Sequence, residues 1–205
     1  LRNIAVLEKG WIGGGNTGRN TTMIRSDYMF PESAAMYDFS LKLYEKLALE
    51  LNFNLMVSQR GWMTLIHDQH QMESARHKAN WLQCNGVDGE IIDRDEVRRK
   101  LPYMNIDANP RFPIQGAFLQ QRGGTIRHDA VVWGYARAAD KMGVDIIQNC
   151  EVQDFEFNQG QMSAINTSRG RISVGKVGVA VAGHSSEIAK KAGFRLPVTS
   201  HCLQA

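Results

Sequence analysis

The stretch from Ile4 to Arg25, IAVLEKGWIGGGNTGRNTTMIR, is the part of the sequence on which the fold prediction depends. It opens with the apolar run IAVL, which is typical of a buried parallel strand. The run ends at Glu8, and a turn rich in Gly, Asn and Thr follows. A carboxylate at the end of such a strand accepts hydrogen bonds from the hydroxyls of an adenosine ribose. The pattern therefore predicts the second strand of a dinucleotide-binding unit.

An alternative interpretation places the phosphate-binding fingerprint itself in this stretch. Residues 13–18, GGGNTG, satisfy the pattern G-x-G-x-x-G after a strand. The last glycine of that fingerprint belongs in an apolar helix, whereas residues 19–25, RNTTMIR, are polar and lack a helical period. With Glu8 as the ribose acid, the fingerprint belongs about twenty residues earlier. We therefore expect the sequence to be truncated at its front.

Composition narrows the classes of protein and partner. The formal charge of +3 is small and both signs are interspersed, which argues against a nucleic-acid partner. No apolar run is long enough to cross a bilayer. Cys84, Cys150 and Cys202 are widely spaced and form no C-x-x-C, a pattern that favours reduced thiols over a disulfide framework or a zinc site. We expect a cytoplasmic protein that binds neither nucleic acid nor membrane.

Hydrophobic periodicity predicts alternating helices and strands along the chain. A helix over 31–51 is predicted to pack in the core through Met36, Phe39, Leu43 and Leu47, which lie on one face. Further helices are predicted over 68–84, 94–101 and 128–142. Strands are predicted over 61–66, 90–92, 114–120 and 144–147, with a hairpin formed by 152–157 and 162–166.

Residues 176–183, KVGVAVAG, are predicted to form a further buried strand whose small-residue end approaches a cofactor. Together these elements predict a mixed α/β protein, in which a nucleotide-binding sheet is interleaved with a β-rich part. His67 and His70 are three residues apart and His77 lies seven further on, a spacing that a helical metal site could use, but no Cys or carboxylate completes the site at a suitable spacing. We expect no metal site.

Three segments carry a resemblance to a known family. They are 7–26, LEKGWIGGGNTGRNTTMIRS; 121–152, QRGGTIRHDAVVWGYARAADKMGVDIIQNCEV; and 177–186, VGVAVAGHSS. They resemble the β subunits of heterotetrameric sarcosine oxidases, a branch of the FAD-dependent amine oxidases with a D-amino-acid-oxidase-like fold. The resemblance extends over essentially the whole chain. It departs from the usual pattern at Met23, where Ile is common, and at Cys202, where Pro is usual.

The resemblance implies a fold and a domain organisation. The fold is an FAD-binding Rossmann-like sheet of the glutathione-reductase type with part of a β-rich substrate domain, truncated at both ends. Residues 1–205 are then an internal part of one FAD-dependent oxidoreductase domain. The first strand with its G-x-G-x-x-G helix and the C-terminal substrate portion are expected to be missing.

The resemblance also implies an activity. Sarcosine loses a hydride from its methyl carbon to FAD, and the electrons pass to FMN and then to oxygen, giving hydrogen peroxide. The one-carbon product passes to folate on a partner subunit, and the partners are the α, γ and δ subunits. Two alternatives stay open: a single-flavin amine oxidase of the glycine or dimethylglycine oxidase type, and a catalytically inactive scaffold subunit. No residue is assigned a catalytic proton-transfer role.

Cofactor-binding residues follow from matching this sequence to the family pattern. Glu8 is expected to hold the adenosine ribose of FAD, with Lys9 nearby. Val152 is expected to contact the adenine, although simple strand packing explains that residue equally well. The pyrophosphate and flavin are expected to be lined by Asn16, Thr21 and Met23.

His128 is expected to carry FMN covalently. Residues 123–127, GGTIR, form a tight approach to a helix that begins near His128, and free N–H groups there suit a flavin phosphate, with Arg122 or Arg127 assisting. The helix dipole disfavours imidazolium, so a neutral ring nitrogen is left as a nucleophile. Spacing alone fits an ordinary histidine at a helix start as well. The resemblance of QRGGTIRHDAVVWG to the flavin-bearing segment of the family favours the covalent link.

The helix that follows His128 gives a weak indication of partners. Trp133, Tyr135 and Arg137 mix aromatic and charged side chains around it. Such side chains are favoured at interfaces between proteins, although core packing is the alternative for Tyr135. We expect the chain to work in a hetero-oligomer.

Overall fold

A computed structural model of the chain describes residues 3–106 and 111–202. The chain divides into two compact units, and each is described by itself. The second unit is Thr22–Ala130, and the first unit combines the chain before it with the chain after it. The boundary at Ala130 falls inside a helix.

The helices and strands occur largely where periodicity predicts them. The helices are α1 Pro31–Glu50, α2 Gln69–Cys84, α3 Arg94–Lys100, α4 His128–Lys141 and α5 Ser185–Lys191. The strands are β1 Ala5–Leu7, β2 Met23–Ile24, β3 Trp62–Ile66, β4 Glu90–Asp93, β5 Gly116–Gln120, β6 Gly124–Thr125, β7 Asp145–Ile147, β8 Val152–Asn158, β9 Gln161–Thr167 and β10 Gly170–Ser173.

In the first unit, β1 pairs with β7 in parallel, which confirms the predicted parallel strand. The pairing continues one residue further, where Glu8 N–H donates to the Ile147 carbonyl over 2.9 Å. The predicted burial is wrong, because Ile4 is 36% and Val6 is 49% exposed. Within the described chain β1 has a neighbouring strand on one edge only.

The glycine-rich loop after β1 does not open an α-helix. It contains a short 3-10 helix, Asn16–Gly18, and the chain then runs to β2. A Cβ at Gly18 would lie 2.5 Å from the Gly13 carbonyl oxygen, so the loop closes on itself and only glycine fits there. The alternative fingerprint at residues 13–18 is therefore wrong, since the last glycine of that motif lies in an α-helix that packs on the strand.

The predicted hairpin is confirmed as part of a three-stranded antiparallel sheet in the order β10-β9-β8. Its turn residues, Gln159 and Gly160, have φ angles of 48° and 78°. Positive φ at both central positions is what a tight type I′ hairpin requires.

The predicted buried strand over residues 176–183 is wrong. Residues 176–181 form no strand, Val179 is 47% exposed, and Ala182–His184 is a short 3-10 helix. Apolar content favours a strand only where a partner strand offers hydrogen bonds, and no strand of the described chain pairs with this run.

The second unit contains a three-stranded antiparallel sheet in the order β3-β5-β4, with β5 buried along its whole length. Side chains alternate between the two faces of β5. Phe118 packs on one face with Ala79, Leu82 and Val87. The other face carries Ala117 and Leu119, which pack with Ile92, Val97, Ile106 and Ile114.

The inward face of α1 differs from the predicted one. Of the four residues expected in the core, Leu47 is buried, but Met36 is 60% and Phe39 is 69% exposed. The buried side of the helix instead includes Ala34 and Leu41. The Asp38 and Glu45 side chains lie on the same side of the helix, and both form ion pairs with Arg122, at 3.5 and 2.8 Å. A pattern that counts carboxylates as outward-facing cannot detect this side.

The helices α2 and α3 each begin after an aspartate N-cap. Asp68 Oδ1 accepts from Gln71 N–H, and Asp93 Oδ1 accepts from Glu96 N–H, each over 2.8 Å. These bonds satisfy backbone donors that a helix start leaves without intrahelical partners.

Within the described ranges, no helix is long and apolar enough to cross a membrane. The same residues contain no group of three or more His, Cys, Asp or Glu side chains that could hold a metal ion. Cys84, Cys150 and Cys202 are free thiols.

Candidate functional site

The C-terminal end of β1 meets the segment between β7 and β8. Cys150 N–H donates to the Glu8 carbonyl over 2.9 Å, and Asn149 N–H donates to the Gly10 carbonyl over 2.7 Å. Lys9 and Glu151 form an ion pair of 3.0 Å directly before Val152. The structure thus places Glu8 and Lys9 beside the start of β8, which carries Val152. We call these three residues the β1 end.

Within the described chain, the Glu8 carboxylate accepts a hydrogen bond through one of its two oxygens only. Its Oε1 accepts from Gly10 N–H over 2.9 Å, which orients the half-buried side chain at the turn. Its Oε2 accepts no hydrogen bond from any residue the structure describes. An oriented carboxylate oxygen with both lone pairs unused suits a hydroxyl donor such as a ribose, so the residues of the β1 end fit an adenosine group.

Lys9 is engaged by the protein itself. The pKa of Lys9 is raised above its usual range, mainly by the hydrogen bond to Glu151 and secondly by the negative charge of that carboxylate. The side chain is nevertheless 74% exposed. This contact ties the turn after β1 to the chain before β8, and the predicted place of Lys9 beside FAD stays a prediction.

The other residues predicted to line FAD are exposed. Asn16 lies in the short 3-10 helix, where its carbonyl accepts from Asn20 Nδ2 over 3.2 Å. Thr21 is exposed and is the last residue of the first unit before the chain enters the second unit. Met23 is 43% exposed in β2 and belongs to the second unit. Their contacts with FAD remain predictions.

In the second unit, the backbone that leads to His128 is paired on both sides. Ser58 and Thr125 exchange two backbone hydrogen bonds of 2.8 and 3.0 Å. Ile126 N–H donates to the Thr22 carbonyl over 2.9 Å, and Arg127 N–H donates to the Leu55 carbonyl over 3.2 Å. The expectation of free N–H groups in residues 123–127 is therefore wrong, because β6 and its flanks use these donors in strand pairing.

Gly124 shows how closely the two backbones approach. A Cβ at this position would lie 2.1 Å from the Ser58 carbonyl oxygen. Only glycine fits such a gap, so Gly124 allows the two backbones to pair immediately before α4.

Both arginines expected to assist a phosphate are in ion pairs. Arg122 donates to Glu45 through Nε and Nη2, each over 2.9 Å. Partial burial acts to raise the pKa of Glu45, but hydrogen bonds from Gln59 and Arg122 outweigh it and lower that pKa. Arg127 donates to Asp129 over 2.7 and 3.0 Å, and this hydrogen bonding holds the pKa of the Asp129 carboxyl below its usual range. The predicted assistance is not supported, because carboxylates of this chain already bind both guanidinium groups.

His128 is the first residue of α4 and is half-buried. Its Nδ1 atom is buried and has no hydrogen-bond partner. Its Nε2 is not enclosed in this way and bonds to no described residue. A buried polar atom without a partner is costly, so packing alone does not explain this histidine. A ring nitrogen that remains open fits attachment of a further group.

A buried cluster that the sequence did not reveal lies in the second unit. We call Arg25, Asp27 and Lys78 the Asp27 cluster. Arg25 Nη1 lies 2.6 Å from Asp27 Oδ1, and Lys78 Nζ lies 2.5 Å from Oδ2. The Asp27 side chain is fully buried, whereas those of Arg25 and Lys78 are 30% and 25% exposed. With two cations and one carboxylate, the cluster has a net positive charge.

Aromatic rings surround the cluster. The Arg25 guanidinium lies 4.8 Å from the centre of the Tyr28 ring and 4.9 Å from that of Trp62. Lys78 Nζ lies 4.6 Å from the centre of the Phe118 ring. The buried Nε1 of Trp62 has no hydrogen-bond partner. Burial raises the pKa of Tyr28, so that phenol stays neutral next to the cluster. Next to the positively charged cluster there is therefore an N–H donor, that of Trp62, without a hydrogen-bond partner among the described residues.

Residues 1–204 match the DAO family of FAD dependent oxidoreductases, and the chain belongs to that family. It is 52% identical to sarcosine oxidase subunit beta of Rhizobium meliloti (strain 1021), over all of this chain and 49% of that protein. It is 47% identical to the protein of the same name from an Arthrobacter species, over all of this chain and 51% of that protein. The chain thus spans about half the length of the curated relatives it matches.

Solved structures confirm the mixed α/β FAD-binding fold. L-proline dehydrogenase from P. horikoshii superposes with a TM-score of 0.84 at 22% identity, over 93% of this chain and 49% of that one. Glycine oxidase from Geobacillus kaustophilus gives 0.84 at 18% identity, over 96% of this chain and 53% of that one. At these identities the likeness shows the fold alone, and it agrees with the fold that the sequence predicted.

Proposed function

We propose that this chain is part of a sarcosine-oxidising flavoenzyme with FAD bound at the β1 end. The single observation that carries the proposal is the Glu8 carboxylate, which lies where a parallel strand ends and has Oε2 unused. The identity of about half of all residues to proteins named sarcosine oxidase subunit beta supports the substrate. FAD would supply the acceptor for a hydride from the N-methyl carbon, and FMN the route to oxygen, which gives hydrogen peroxide.

The chain's own part in this function is to hold groups in place. Glu8 binds the ribose, and Val152 contacts the adenine at the start of β8. Lys9, engaged with Glu151, keeps the two segments together. The remaining FAD contacts are assigned to Asn16, Thr21 and Met23.

Replacing Glu8 by Ala in the full-length protein is expected to weaken FAD binding by about 1–3 kcal/mol, the cost of losing a hydrogen bond to a charged group. That corresponds to an increase in Kd of about 5- to 150-fold. The measurement is FAD titration of the apoprotein by fluorescence. Glu156→Ala is the control, because that carboxylate of β8 pairs with Arg171 of β10 and should leave the Kd unchanged. Equal FAD affinity in wild type and Glu8→Ala rules out the assignment.

We further propose that His128 carries FMN covalently. Its half-buried ring at the start of α4, with one nitrogen enclosed and the other open, supports this. The loop before it is held by backbone pairs on both sides, so the imidazole is presented from a rigid support.

A substrate that is an amino acid also needs a cation for its carboxylate, and we assign that role to Arg25. Its guanidinium is partly exposed, belongs to a cluster of net positive charge and lies beside the unpaired Trp62 N–H. An arginine that still has donors to offer binds carboxylates well.

Partner subunits are part of the proposal. Trp133 and Tyr135 on α4 are 48% and 44% exposed, which is consistent with an interface. The relatives are named as subunits. We propose that α, γ and δ subunits complete the enzyme, that folate receives the one-carbon product on a partner, and that the complex is cytoplasmic, in keeping with the three free thiols.

The test is turnover of sarcosine by the native full-length protein with its partners, together with a flavin count and its mass in solution. The proposal expects peroxide release and equal amounts of FAD and protein-bound FMN in a hetero-oligomer. An active monomer with FAD alone would instead identify a single-flavin amine oxidase. A complex that contains no flavin and shows no turnover would identify a scaffold subunit.

A further inference from the structure

The Asp27 cluster distributes one carboxylate between two cations. Arg25 donates to Asp27 Oδ1 through Nη1 alone, and Lys78 donates to Oδ2 over 2.5 Å. The Nε and Nη2 donors of Arg25 bond to no residue in the described part of the chain. An arginine alone with a carboxylate favours a two-pronged pair in which both oxygens are taken. Lys78 therefore competes with the guanidinium fork of Arg25 for the oxygens of Asp27.

The net charge of the Asp27 cluster also depends on Lys78. With Lys78 present, the fully buried Asp27 neutralises one of two positive charges. Without Lys78, Arg25 and Asp27 would form a neutral pair. The side chains of Arg25 and Lys78 are only 30% and 25% exposed, so water screens the charge of Lys78 only partly.

We propose that Lys78 is a positioning residue for a carboxylate ligand at Arg25. It acts through Asp27: by holding Oδ2 it leaves two donors of Arg25, and the net charge of the cluster, available to the ligand. Lys78 also lies over the Phe118 ring, which anchors its ammonium against β5. The inference rests on the proposed function, in that the carboxylate belongs to the amine substrate.

The expected size of the effect follows from Coulomb's law. A unit charge removed about 8 Å from a carboxylate, at an effective dielectric constant of about 20, weakens binding by about 30-fold. Partial exposure reduces this figure, so we expect about a tenfold loss of carboxylate affinity.

The experiment uses the native holoprotein with its partners and the variant Lys78→Met, which keeps an apolar stem over Phe118. We expect KM for sarcosine and Kd for acetate, read from flavin absorbance, to rise about tenfold each, with kcat and FAD content unchanged. Lys78→Arg keeps the charge and should restore both values. Lys100→Met is the matched control, since Lys100 pairs with Glu96 at 3.9 Å on α3 and should change neither value.

Lys78→Leu covers the case in which Lys78→Met does not fold, because Leu also removes both the charge and the donor to Oδ2 and keeps an apolar side chain next to Phe118. Unchanged KM and acetate Kd in whichever of these two variants folds overturn the inference, and so does a loss of kcat alone. A wild-type protein that does not oxidise sarcosine overturns the proposed function instead. The acetate Kd then still tests Lys78 independently of turnover.

Discussion

A His128→Ala variant of the native enzyme is expected to contain no covalently bound flavin. The reason is chemical, because alanine has no ring nitrogen to form the bond. It is also local, because backbone hydrogen bonds from Ile126 and Arg127 hold the loop that leads to His128. His128 is then the first residue of α4, and its ring Nδ1 is buried without a hydrogen-bond partner in the described chain.

The measurement is direct. The holoprotein is denatured in acid and digested, and flavin-bearing peptides are detected by fluorescence and mass. His184→Ala is the matched control, since His184 also stands at a helix start, before α5, but is exposed and pairs with Glu187 at 3.3 Å. It should keep the full amount of bound FMN. Covalent FMN on His128→Ala, or an unmodified His128 peptide in active wild type, shows that the attachment site is elsewhere.

The sequence predicts the elements well because their signals are local. Asp68 and Asp93 cap helices three residues from the N–H groups they bind. The turn at Gln159 and Gly160 specifies its hairpin within four residues. Glu8 is identifiable for the same reason, since a strand end and a glycine-rich turn are adjacent in the sequence.

Burial and partnership are less predictable because they depend on distant segments. The run at residues 176–181 has strand composition, but a strand also needs a neighbour, and the described chain provides none. The inward side of α1 carries Asp38 and Glu45 because Arg122, far along the chain, satisfies both. The hydrophobic periodicity of α1 contains no information about Arg122.

The candidate site shows the same division. Lys9 follows Glu8 in the sequence, but its ion pair with Glu151 depends on the parallel pairing of β1 with β7. The residues around His128 were identified, yet their N–H groups proved to be engaged by Ser58, Thr22 and Leu55. The Asp27 cluster was missed altogether, because Lys78 is separated from Asp27 by 51 positions and belongs to a helix that reads as polar.

The largest expected loss of stability comes from Asp27→Ala. The substitution leaves Arg25 and Lys78 next to each other without the carboxylate that both bind. Breaking a buried ion pair by removing one partner costs about 3–5 kcal/mol. Because the two cations are 30% and 25% exposed and can turn partly to water, we expect a value near the lower end, about 3 kcal/mol.

Asp95→Ala provides a matched control for this prediction. Asp95 pairs with Arg98 over 2.7 Å, almost the distance of the Asp27–Arg25 pair, but its side chain is 75% exposed. Surface pairs of this kind contribute about 0–1 kcal/mol. The urea midpoint for unfolding, followed by tryptophan fluorescence, should fall well below wild type for Asp27→Ala and stay close to it for Asp95→Ala. Equal midpoints for the two variants would mean that Asp27 gains as little from its partners as a surface carboxylate does, and that its burial is balanced by other contacts.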